Sequence, residues 1–336
     1  MSGGVDSSVS AILLKEQGYK VVGAYMKNWS KDLPGMKCPW AEDLADAKRV
    51  AVKLGLDFEV FDFEKEYKEK VVDYMLAEFK AGRTPNPDIM CNEEIKFKLF
   101  FDECLKRGAD FIATGHYAKS ENGKLKLAKD TNKDQTYFLY RISKAAVEKT
   151  LFPLANLLKP EVKEIAKKHN LANAYKKESM GVCFVGDVGM KDFLREYIDI
   201  KPGEIREQET DKVLGVHDGA VFYTIGQRHG LYVGGGLPYY VVAKDLKKNI
   251  VYVSKNLNAS DLWTREIKLE KIFLRDEADL PSNGKITVRL RHRAPLLSAT
   301  FKDNMIRFDE EVKTIAPGQS VVFYSGDVCL GGGIVK

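Results

Sequence analysis

Segments with helical periodicity alternate with short apolar segments over residues 8–115, and this pattern restricts the fold more than any other feature. The helical segments are SSVSAILLKEQG, AEDLADAKRVAVKLG, EKEYKEKVVDYMLAEFK and NEEIKFKLFFDECLKRG, and the strand-like segments are KVVGAYM, DFEVFDF and DFIATGH. Strands separated by helices are typical of a parallel sheet with helices on both faces. The sequence therefore predicts an α/β fold with a doubly wound parallel sheet in its N-terminal part.

The C-terminal part has a different pattern, because helical periodicity almost disappears after residue 200. Short β-like segments recur between turn residues: VFYTIGQ, YYVVAK, NIVYVS, KITVRLRHR, SATFKD, SVVFYSG and LGGGIVK. This spacing predicts a small β-rich linker domain and a C-terminal β-barrel. We predict domains over residues 1–195, 196–260 and 261–336, with a hairpin near Asn122-Gly123 in the first domain.

The stretch SGGVDSS places two adjacent glycines just before the first predicted helix. It lacks the Gly-Lys-Ser/Thr of a Walker A loop. Glycines permit a tight turn, and the first turn of a helix offers free N–H groups and a positive dipole end to an anion. We predict a phosphate loop for ATP in which Asp6 holds Mg²⁺; a surface turn that caps the helix is the alternative. The loop residues are Ser2, Gly3, Gly4, Val5, Asp6, Ser7 and Ser8.

Other candidates fall at the ends of predicted strands. Ligands of open parallel sheets bind beyond the carboxyl ends of the strands, where Met26, Gly115 and His116 lie together with the phosphate loop. A lone histidine is more often structural, but this position favours a contact with substrate.

The composition excludes several classes of protein. The net charge of +5, from 53 Lys and Arg against 48 Asp and Glu, permits an anionic partner without requiring one. No apolar segment approaches the roughly 18 residues of a membrane span, and no cleavable signal is visible, so we expect a cytoplasmic protein. The five cysteines form no CxxC pair and no metal-like spacing, so we expect no metal site, and an odd count in an apparently cytosolic chain argues against a disulfide framework.

The segment TPNPDIMCNEEIKF carries candidate reactive groups. Two prolines flank Asn86 and should keep it extended and outside a helix. Asn92 can cap the following helix, so the Cys91 thiol near a helix N-terminus should have a lowered pKa. Asp88 could accept or donate a proton. A buried structural cysteine and a capping aspartate are the alternative.

A second loop cysteine, Cys183, lies in the segment ESMGVCFVGD. Two loop cysteines together with an ATP loop are compatible with sulfur transfer. ATP activates an oxygen as a leaving group, a persulfide delivers sulfur, and the second thiol releases it by forming a disulfide. Cys104 and Cys329 fit packing positions, and Cys38 stays open.

Two segments could contact RNA. NKDQTYFLYR (132–141) mixes donors, a carboxylate and aromatic residues that could grip a backbone or stack a base, with helix capping by Asp134 as the alternative. In RLRHR (289–293), strand alternation would place Arg289, Arg291 and Arg293 on one face, which binds RNA or is only solvated.

These segments together resemble the tRNA-specific 2-thiouridylases, which belong to the PP-loop ATP pyrophosphatases. The matching segments are SGGVDSS, MKNW, TPNPDIMCNEEIKF, ATGHYA, NKDQTYFL, FPL, GVCFVGD, YTIGQRHGL and APGQSVVFYSGDVCLGGG. They follow the family's order and cover nearly the whole chain. SGGVDS is shared with GMP synthetases and NAD synthetases, whereas the pair NPDxxCN and GVCF is specific.

The resemblance implies that ATP, with Mg²⁺, adenylates the 2-oxygen of the wobble uridine in a tRNA anticodon loop. It implies that a Cys183 persulfide attacks C2, that Cys91 releases the product by forming a disulfide with Cys183, and that Asp88 is the general acid/base. The sulfur would come from a cysteine desulfurase, directly or through relay proteins. The residues implied to hold ATP are Ser2 to Ser8, Met26 and Gly115. Those implied to meet the base or the remaining tRNA are Asn86, Pro87, Asp88, His116, Lys133, Asp134, Gln135, Arg291, His292 and Gln319.

The start of the chain departs from the family pattern. A strand precedes the phosphate loop in the family, whereas Met1 directly precedes Ser2 here. We therefore expect the natural chain to begin a few residues upstream. Two other functions stay open: a PP-loop amidotransferase or ligase, which would need an ammonia source, and an inactive tRNA-binding homologue.

Overall fold

The computed structural model describes residues 1–32, 38–176, 189–234, 237–256 and 262–336. The N-terminal strands are β1 (Val22–Lys27), β2 (Asp57–Asp62), β3 (Ile112–Ala113), β4 (Lys119–Glu121), β5 (Lys124–Lys126) and β6 (Thr150–Leu151). The α-helices are α1 (Val5–Glu16), α2 (Trp40–Leu54), α3 (Glu64–Tyr67), α4 (Asp73–Lys80), α5 (Pro87–Met90), α6 (Phe101–Lys106), α7 (Thr136–Leu139), α8 (Lys144–Glu148), α9 (Lys159–Lys168) and α10 (Met190–Arg195).

The N-terminal domain contains parallel strands joined through helices, which confirms the predicted α/β class. β1 pairs in parallel with β2, from Val22 opposite Asp57 to Lys27 opposite Asp62. β3 pairs in parallel with β6. In the described ranges these strands form two separate two-stranded sheets. No helix in these ranges is long and apolar enough to cross a bilayer.

Two apolar clusters form the core of the N-terminal domain. One cluster joins α1 and α9, where Val9, Ile12 and Val162 are fully or almost fully buried. The other and larger cluster lies around the helices that follow β2, and its buried side chains include Tyr67 and Met75. Since both clusters use residues at helical spacing, the periodicity of the sequence did identify the buried helix faces.

π-Helical geometry interrupts the helices of the larger cluster. The segment Lys68–Val72 joins α3 to α4, and the ten-residue segment Cys91–Phe100 joins α5 to α6. The sequence predicted one regular helix from Asn92, whereas the helical run begins at Pro87. π-Helical turns are rare and are frequently found at functional sites. The π-helical segment that begins at Cys91 is therefore compatible with a functional role of this residue.

The middle domain is a four-stranded sheet of order β8-β7-β10-β9. Its strands are β7 (Gly203–Glu207), β8 (Val213–His217), β9 (Tyr240–Asp245) and β10 (Ile250–Ser254). The segment VFYTIGQ, predicted as β-like, instead contains a 3₁₀ turn over Ala220–Phe222, followed by turns that bond to β9 through Gly226 and Gln227.

The C-terminal domain is a closed six-stranded barrel, as predicted. Its strands are β11 (Trp263–Leu274), β12 (Lys285–Arg289), β13 (Leu297–Lys302), β14 (Met305–Lys313), β15 (Ser320–Ser325) and β16 (Val328–Val335). They follow the order β11-β14-β13-β12-β15-β16, and β16 pairs back onto β11. The predicted hairpin near Asn122 is present as β4–β5, but β5 pairs with β16, so the hairpin extends the barrel sheet across the domain boundary.

Candidate active site

The phosphate loop and the first turn of α1 form a tight unit. Gly4 caps α1 in an extended conformation, and Gly3 has φ +75°. A Cβ on Gly3 would lie 2.6 Å from the carbonyl oxygen of Asp43, so only glycine fits there. The backbone N of Ser2 donates to Ser7 Oγ at 3.1 Å, and Ser8 Oγ donates to the carbonyl of Gly4 at 2.9 Å. The loop is therefore fixed by its own hydroxyl groups.

Gly115 lies directly against this loop. A Cβ on Gly115 would lie 2.7 Å from the backbone N of Ser7 and 2.8 Å from the carbonyl carbon of Asp6. The structure thus brings together the two segments that strand-end reasoning placed at one edge. Met26 lies one residue before the end of β1, opposite Phe61, and packs against the larger apolar cluster.

Asn173 supports the phosphate loop, a role that the sequence analysis did not predict. Its Nδ2 atom donates to the carbonyl of Gly3 at 2.8 Å and to Ser8 Oγ at 3.0 Å, and the side chain is 4% exposed. Nearby, Lys176 forms ion pairs with Asp43 and Asp46 of α2 at 2.8 and 2.6 Å. The segment after α9 is therefore anchored to the phosphate loop.

Asp6 is paired with a lysine that sequence reasoning also missed. Lys159 Nζ lies 2.6 Å from Asp6 Oδ1, and the hydroxyl of Tyr117 donates to the same oxygen at 3.3 Å. Lys159 is buried at the first position of α9. A lysine in the first turn of a helix is unfavourable next to the positive end of the helix dipole. Its position in the sequence could therefore have indicated that Lys159 forms an ion pair elsewhere.

The segment with Asp88 and Cys91 is more helical than predicted. Asn86 is extended, as expected, but Pro87 starts α5, and Cys91 lies one turn further on with 4% exposure. Asn92 does not cap a helix; its Nδ2 atom donates to the carbonyl of Phe138 at 3.1 Å. Because Cys91 lies inside the helical run, the helix-terminus argument for an activated thiol loses its basis.

Removal from water changes the acid–base groups beside this segment. Burial raises the pKa of Asp88, while the charge of Lys96 acts against this rise. Burial and the same lysine hold the pKa of His116 well below its usual value, so the imidazole is neutral at pH 7. His116 Nδ1 lies 2.9 Å from Thr114 Oγ1. Lys96 is a further residue of the site that the sequence analysis did not single out.

The structure disagrees with the prediction that Asp134 contacts RNA. Asp134 is 1% exposed, and its carboxylate accepts from Ala128 N at 2.9 Å, Thr136 Oγ1 at 2.6 Å and Arg289 Nη1 at 3.0 Å. This carboxylate joins the first domain to the barrel. With 1% exposure, the carboxylate presents almost no surface to RNA in this structure.

The aromatic residues of 132–141 are likewise used for packing. Tyr137 and Tyr140 are at most 1% exposed, and their hydroxyls bond to the carbonyl and the hydroxyl of Ser320. The expected arginine face is also corrected. β12 ends at Arg289, which is buried, whereas Arg291 and Arg293 are exposed beyond the strand.

The remaining tRNA candidates lie near the domain junctions. Gln135 accepts from Tyr117 N at 3.0 Å, and Gln319 Nε2 donates to the carbonyl of Thr84 at 2.8 Å. The ring centroid of His292 lies 4.7 Å from that of Phe138, with the two ring planes tilted by 44°. Burial, with neighbouring arginines, lowers the pKa of His292 to about 4. Lys133 is partly buried, and its charge also acts on His292.

The other cysteines differ in their surroundings. Cys183 lies outside the described residues, so its predicted meeting with Cys91 stays a prediction. Burial raises the pKa of Cys104 and of Cys329 to about 11, which fits the predicted packing roles. Cys38 is buried, with its Sγ 3.5 Å from the carbonyl of Trp29. No group of three or more His, Cys, Asp or Glu that could hold a metal occurs in the part of the chain that the structure describes.

The glycine-rich loop at the N-terminus of α1, closed by Gly115, defines a nucleotide-binding protein of the PP-loop type with two β domains attached. Family models match in the same order. The HUP domain of tRNA methyl transferase matches residues 1–187, the PRC-barrel domain of tRNA methyl transferase matches 191–255, and the aminomethyltransferase beta-barrel domain matches 264–335.

Named relatives match the whole chain. The tRNA-specific 2-thiouridylase MnmA of Listeria monocytogenes serotype 4b (strain CLIP80459) is 47% identical over 345 residues, which cover 100% of this chain and 93% of that protein. The proteins of the same name from Pseudomonas savastanoi pv. phaseolicola and Pseudomonas entomophila are 46% and 47% identical with the same coverage. The chain belongs to the family of the tRNA-specific 2-thiouridylases.

Proposed function

We propose that the chain is an ATP-dependent tRNA sulfurtransferase that replaces the 2-oxygen of the wobble uridine by sulfur. The observation that carries the proposal is 47% identity over the entire chain to proteins named for this activity. The close approach of Gly115 to Ser7 supports it, because it shapes a cradle of backbone groups at a helix N-terminus.

ATP would bind over Ser2 to Ser8, with Gly115 and Met26 beside it. The loop offers one carboxylate for Mg²⁺. This is compatible with the ion, because Mg²⁺ is commonly bound by one or two carboxylates together with the substrate phosphates. Asp6 is that carboxylate, and its Oδ1 atom is already paired with Lys159. Lys159 would therefore neutralise charge at the phosphates next to the metal, and Asn173 would fix the loop.

Sulfur transfer would use Asp88, Cys91 and Cys183. ATP adenylates the uridine 2-oxygen and pyrophosphate leaves. The terminal sulfur of a Cys183 persulfide attacks C2, and AMP departs with the oxygen. Cys91 then attacks Cys183 Sγ, which breaks the S–S bond, leaves the sulfur on C2 and forms a Cys91–Cys183 disulfide. An external dithiol would reduce this disulfide, and a cysteine desulfurase or a relay protein would reload Cys183. The raised pKa of Asp88 suits a general acid/base.

The tRNA would approach the edge where the three domains meet. Asn86, Pro87 and Asp88 would meet the uridine, which must leave its stack to be reached. His116, Lys133, Gln135, Arg291, His292 and Gln319 would contact the surrounding RNA. We further propose three domains, over residues 1–195, 196–260 and 261–336. The protein would act in the cytoplasm, where tRNA is modified.

Mass spectrometry of tRNA nucleosides tests the function. The chain is expressed in cells that lack their own 2-thiouridylase, together with variants Cys183→Ser, Cys91→Ser and the control Cys104→Ser. We expect 2-thiouridine from wild type and from Cys104→Ser and none from the other two.

Two outcomes would favour the alternatives. An amidotransferase or ligase should retain activity in Cys183→Ser. An inactive homologue should bind tRNA without releasing pyrophosphate from ATP. A methylated nucleoside in place of 2-thiouridine would refute the proposal.

A further inference from the structure

Thr84 connects all three domains. It lies between α4 and α5, and its backbone N donates to the carbonyl of Pro317 at 2.8 Å. Its carbonyl accepts from Gln319 Nε2 at 2.8 Å, and its hydroxyl lies 3.2 Å from Thr224 Oγ1. Two bonds thus reach a turn of the barrel and one reaches the middle domain, so every polar group of Thr84 is used for a contact between domains.

The packing around Thr84 is close on the side of the barrel. Gly318 has φ +90°, and a Cβ there would lie 2.9 Å from Thr84 N and 2.9 Å from Arg83 Cβ. A Cβ on Gly82 would lie 2.8 Å from Cδ1 of Leu246 in the middle domain. The barrel therefore contacts the backbone of this connection as closely as glycine allows, and the middle domain contacts it through the side chain of Leu246.

The link from Thr84 to Asp88 is stiff. Proline fixes φ at positions 85 and 87, and each proline also restricts the residue before it to extended conformations. Asn86 shows this geometry, with φ −115° and ψ 96°. Since few soft torsions remain between Thr84 and Asp88, a displacement at Thr84 moves the first turn of α5 as a body.

We propose that Thr84 is a positioning residue, through which the two β domains set the position of Asp88 relative to the bound RNA. The inference rests on the proposed sulfurtransferase function. RNA held by the barrel is brought into register with the reacting groups by the bonds of Thr84 to Pro317 and Gln319, and the bond to Thr224 of the middle domain holds Thr84 in place. The two prolines of TPNPD would then have a mechanical role, because the stiff segment transmits the position of Thr84 to Asp88 in α5.

Valine variants remove the hydroxyl bond with little change in shape. Thr84→Val and Thr224→Val each remove one partner of the 3.2 Å contact, and Thr84→Ser retains it. Thr210→Val is the matched control, because Thr210 Oγ1 bonds Glu207 at 2.6 Å on an exposed turn of the same middle domain. Three quantities are measured: the single-turnover thiolation rate at saturating ATP and tRNA, the Kd for tRNA, and deuterium exchange of residues 86–91.

We expect both junction variants to lower the single-turnover rate by about tenfold, the effect of one hydrogen bond, while the Kd for tRNA changes less than about twofold. The double variant should be no slower than either single variant, because the same bond is lost. Exchange of residues 86–91 should accelerate about tenfold in both. Thr84→Ser and Thr210→Val should match wild type in all three.

An unchanged rate, or a rate loss matched by an equal loss of tRNA affinity, would overturn the positioning role. If the wild-type protein forms no 2-thiouridine, the proposed function fails, and the exchange measurement still decides on the junction. Unchanged exchange in both valine variants then refutes the mechanical link.

Discussion

Replacing Arg289 by methionine should destabilise the contact between the barrel and the first domain. Arg289 and Asp134 form an ion pair at 3.0 Å with side chains 8% and 1% exposed. The guanidinium also lies 5.5 Å from the ring centroid of Tyr324. Methionine fills a similar volume and leaves the Asp134 carboxylate buried without its cation.

The expected loss follows from what remains around Asp134. Removing one partner of a buried ion pair costs about 3–5 kcal/mol, because the other charge stays uncompensated. Two bonds, from Ala128 N and Thr136 Oγ1, still reach the carboxylate and place the loss in the lower half of that range. The double variant Arg289→Met/Asp134→Asn removes both charges and should recover about 1–2 kcal/mol.

Urea unfolding followed by tryptophan fluorescence measures these losses. The control is Arg307→Met, because Arg307 pairs with Glu266 at 2.9 Å on the exposed surface of the same barrel. An exposed pair contributes at most about 1 kcal/mol. If Arg289→Met costs no more than this control, the reasoning about a buried interdomain charge is refuted.

The pH dependence gives an independent check. Burial raises the pKa of Asp134 above its unfolded value, although the bonds from Thr136, Ala128 and Arg289 oppose the rise. A carboxyl with a raised folded pKa contributes stability below its unfolded pKa of about 3.9 and loses it as the pH rises through the folded pKa. Loss of the arginine raises the folded pKa further, so the deficit of Arg289→Met should shrink as the pH falls.

Three further predictions concern the candidate site. Asn173→Ala removes the bonds to Gly3 and Ser8, so calorimetry should show about tenfold weaker ATP binding with tRNA affinity unchanged. Burial raises the pKa of Asp88, so the ionised carboxylate destabilises the fold above that pKa. Asp88→Asn should therefore retain or raise the Tm at pH 7, while the thiolation rate falls by about 10²-fold or more. A lower Tm would contradict this reasoning. Because the pKa of His292 is about 4, His292→Phe should show the same dependence of tRNA affinity on pH as wild type between about pH 6 and 8 in filter binding.

The glycine turn before α1 could be predicted because its determinants are local. Two glycines before an amphipathic helix define the turn, and alternation of helices and strands fixes the sheet edge at which Gly115 must lie. Lys159 and Asn173 could not be found in this way. Each is a single polar residue in an ordinary segment, and its role appears only when α9 and the segment after it pack behind α1.

Asp134 and the tyrosines of the segment 132–141 have an internal role that the sequence analysis did not predict, and the reason is physical. A mixture of aromatic rings, donors and a carboxylate suits an RNA-binding surface, but it also suits a buried polar interface between domains. Composition does not distinguish an RNA-binding surface from a buried interface. The position of the hairpin β4–β5 in the fold does distinguish them. By pairing with β16, it places Asp134 and Tyr137 against the barrel wall and away from solvent.

The same interface explains why the β domains belong to the candidate active site. The barrel contacts the first domain through β5, Asp134 and Thr84, and the last of these lies four residues before Asp88. A barrel that only recruited RNA could be joined to the first domain by a flexible linker, because the affinity for RNA would not depend on the orientation of the barrel. If the proposed function holds, a barrel that is bonded to the backbone beside α5 would keep RNA at a fixed distance from the reacting groups. The buried charge pair and the strand pairing would then supply the rigidity that the proposed reaction at a single base atom requires.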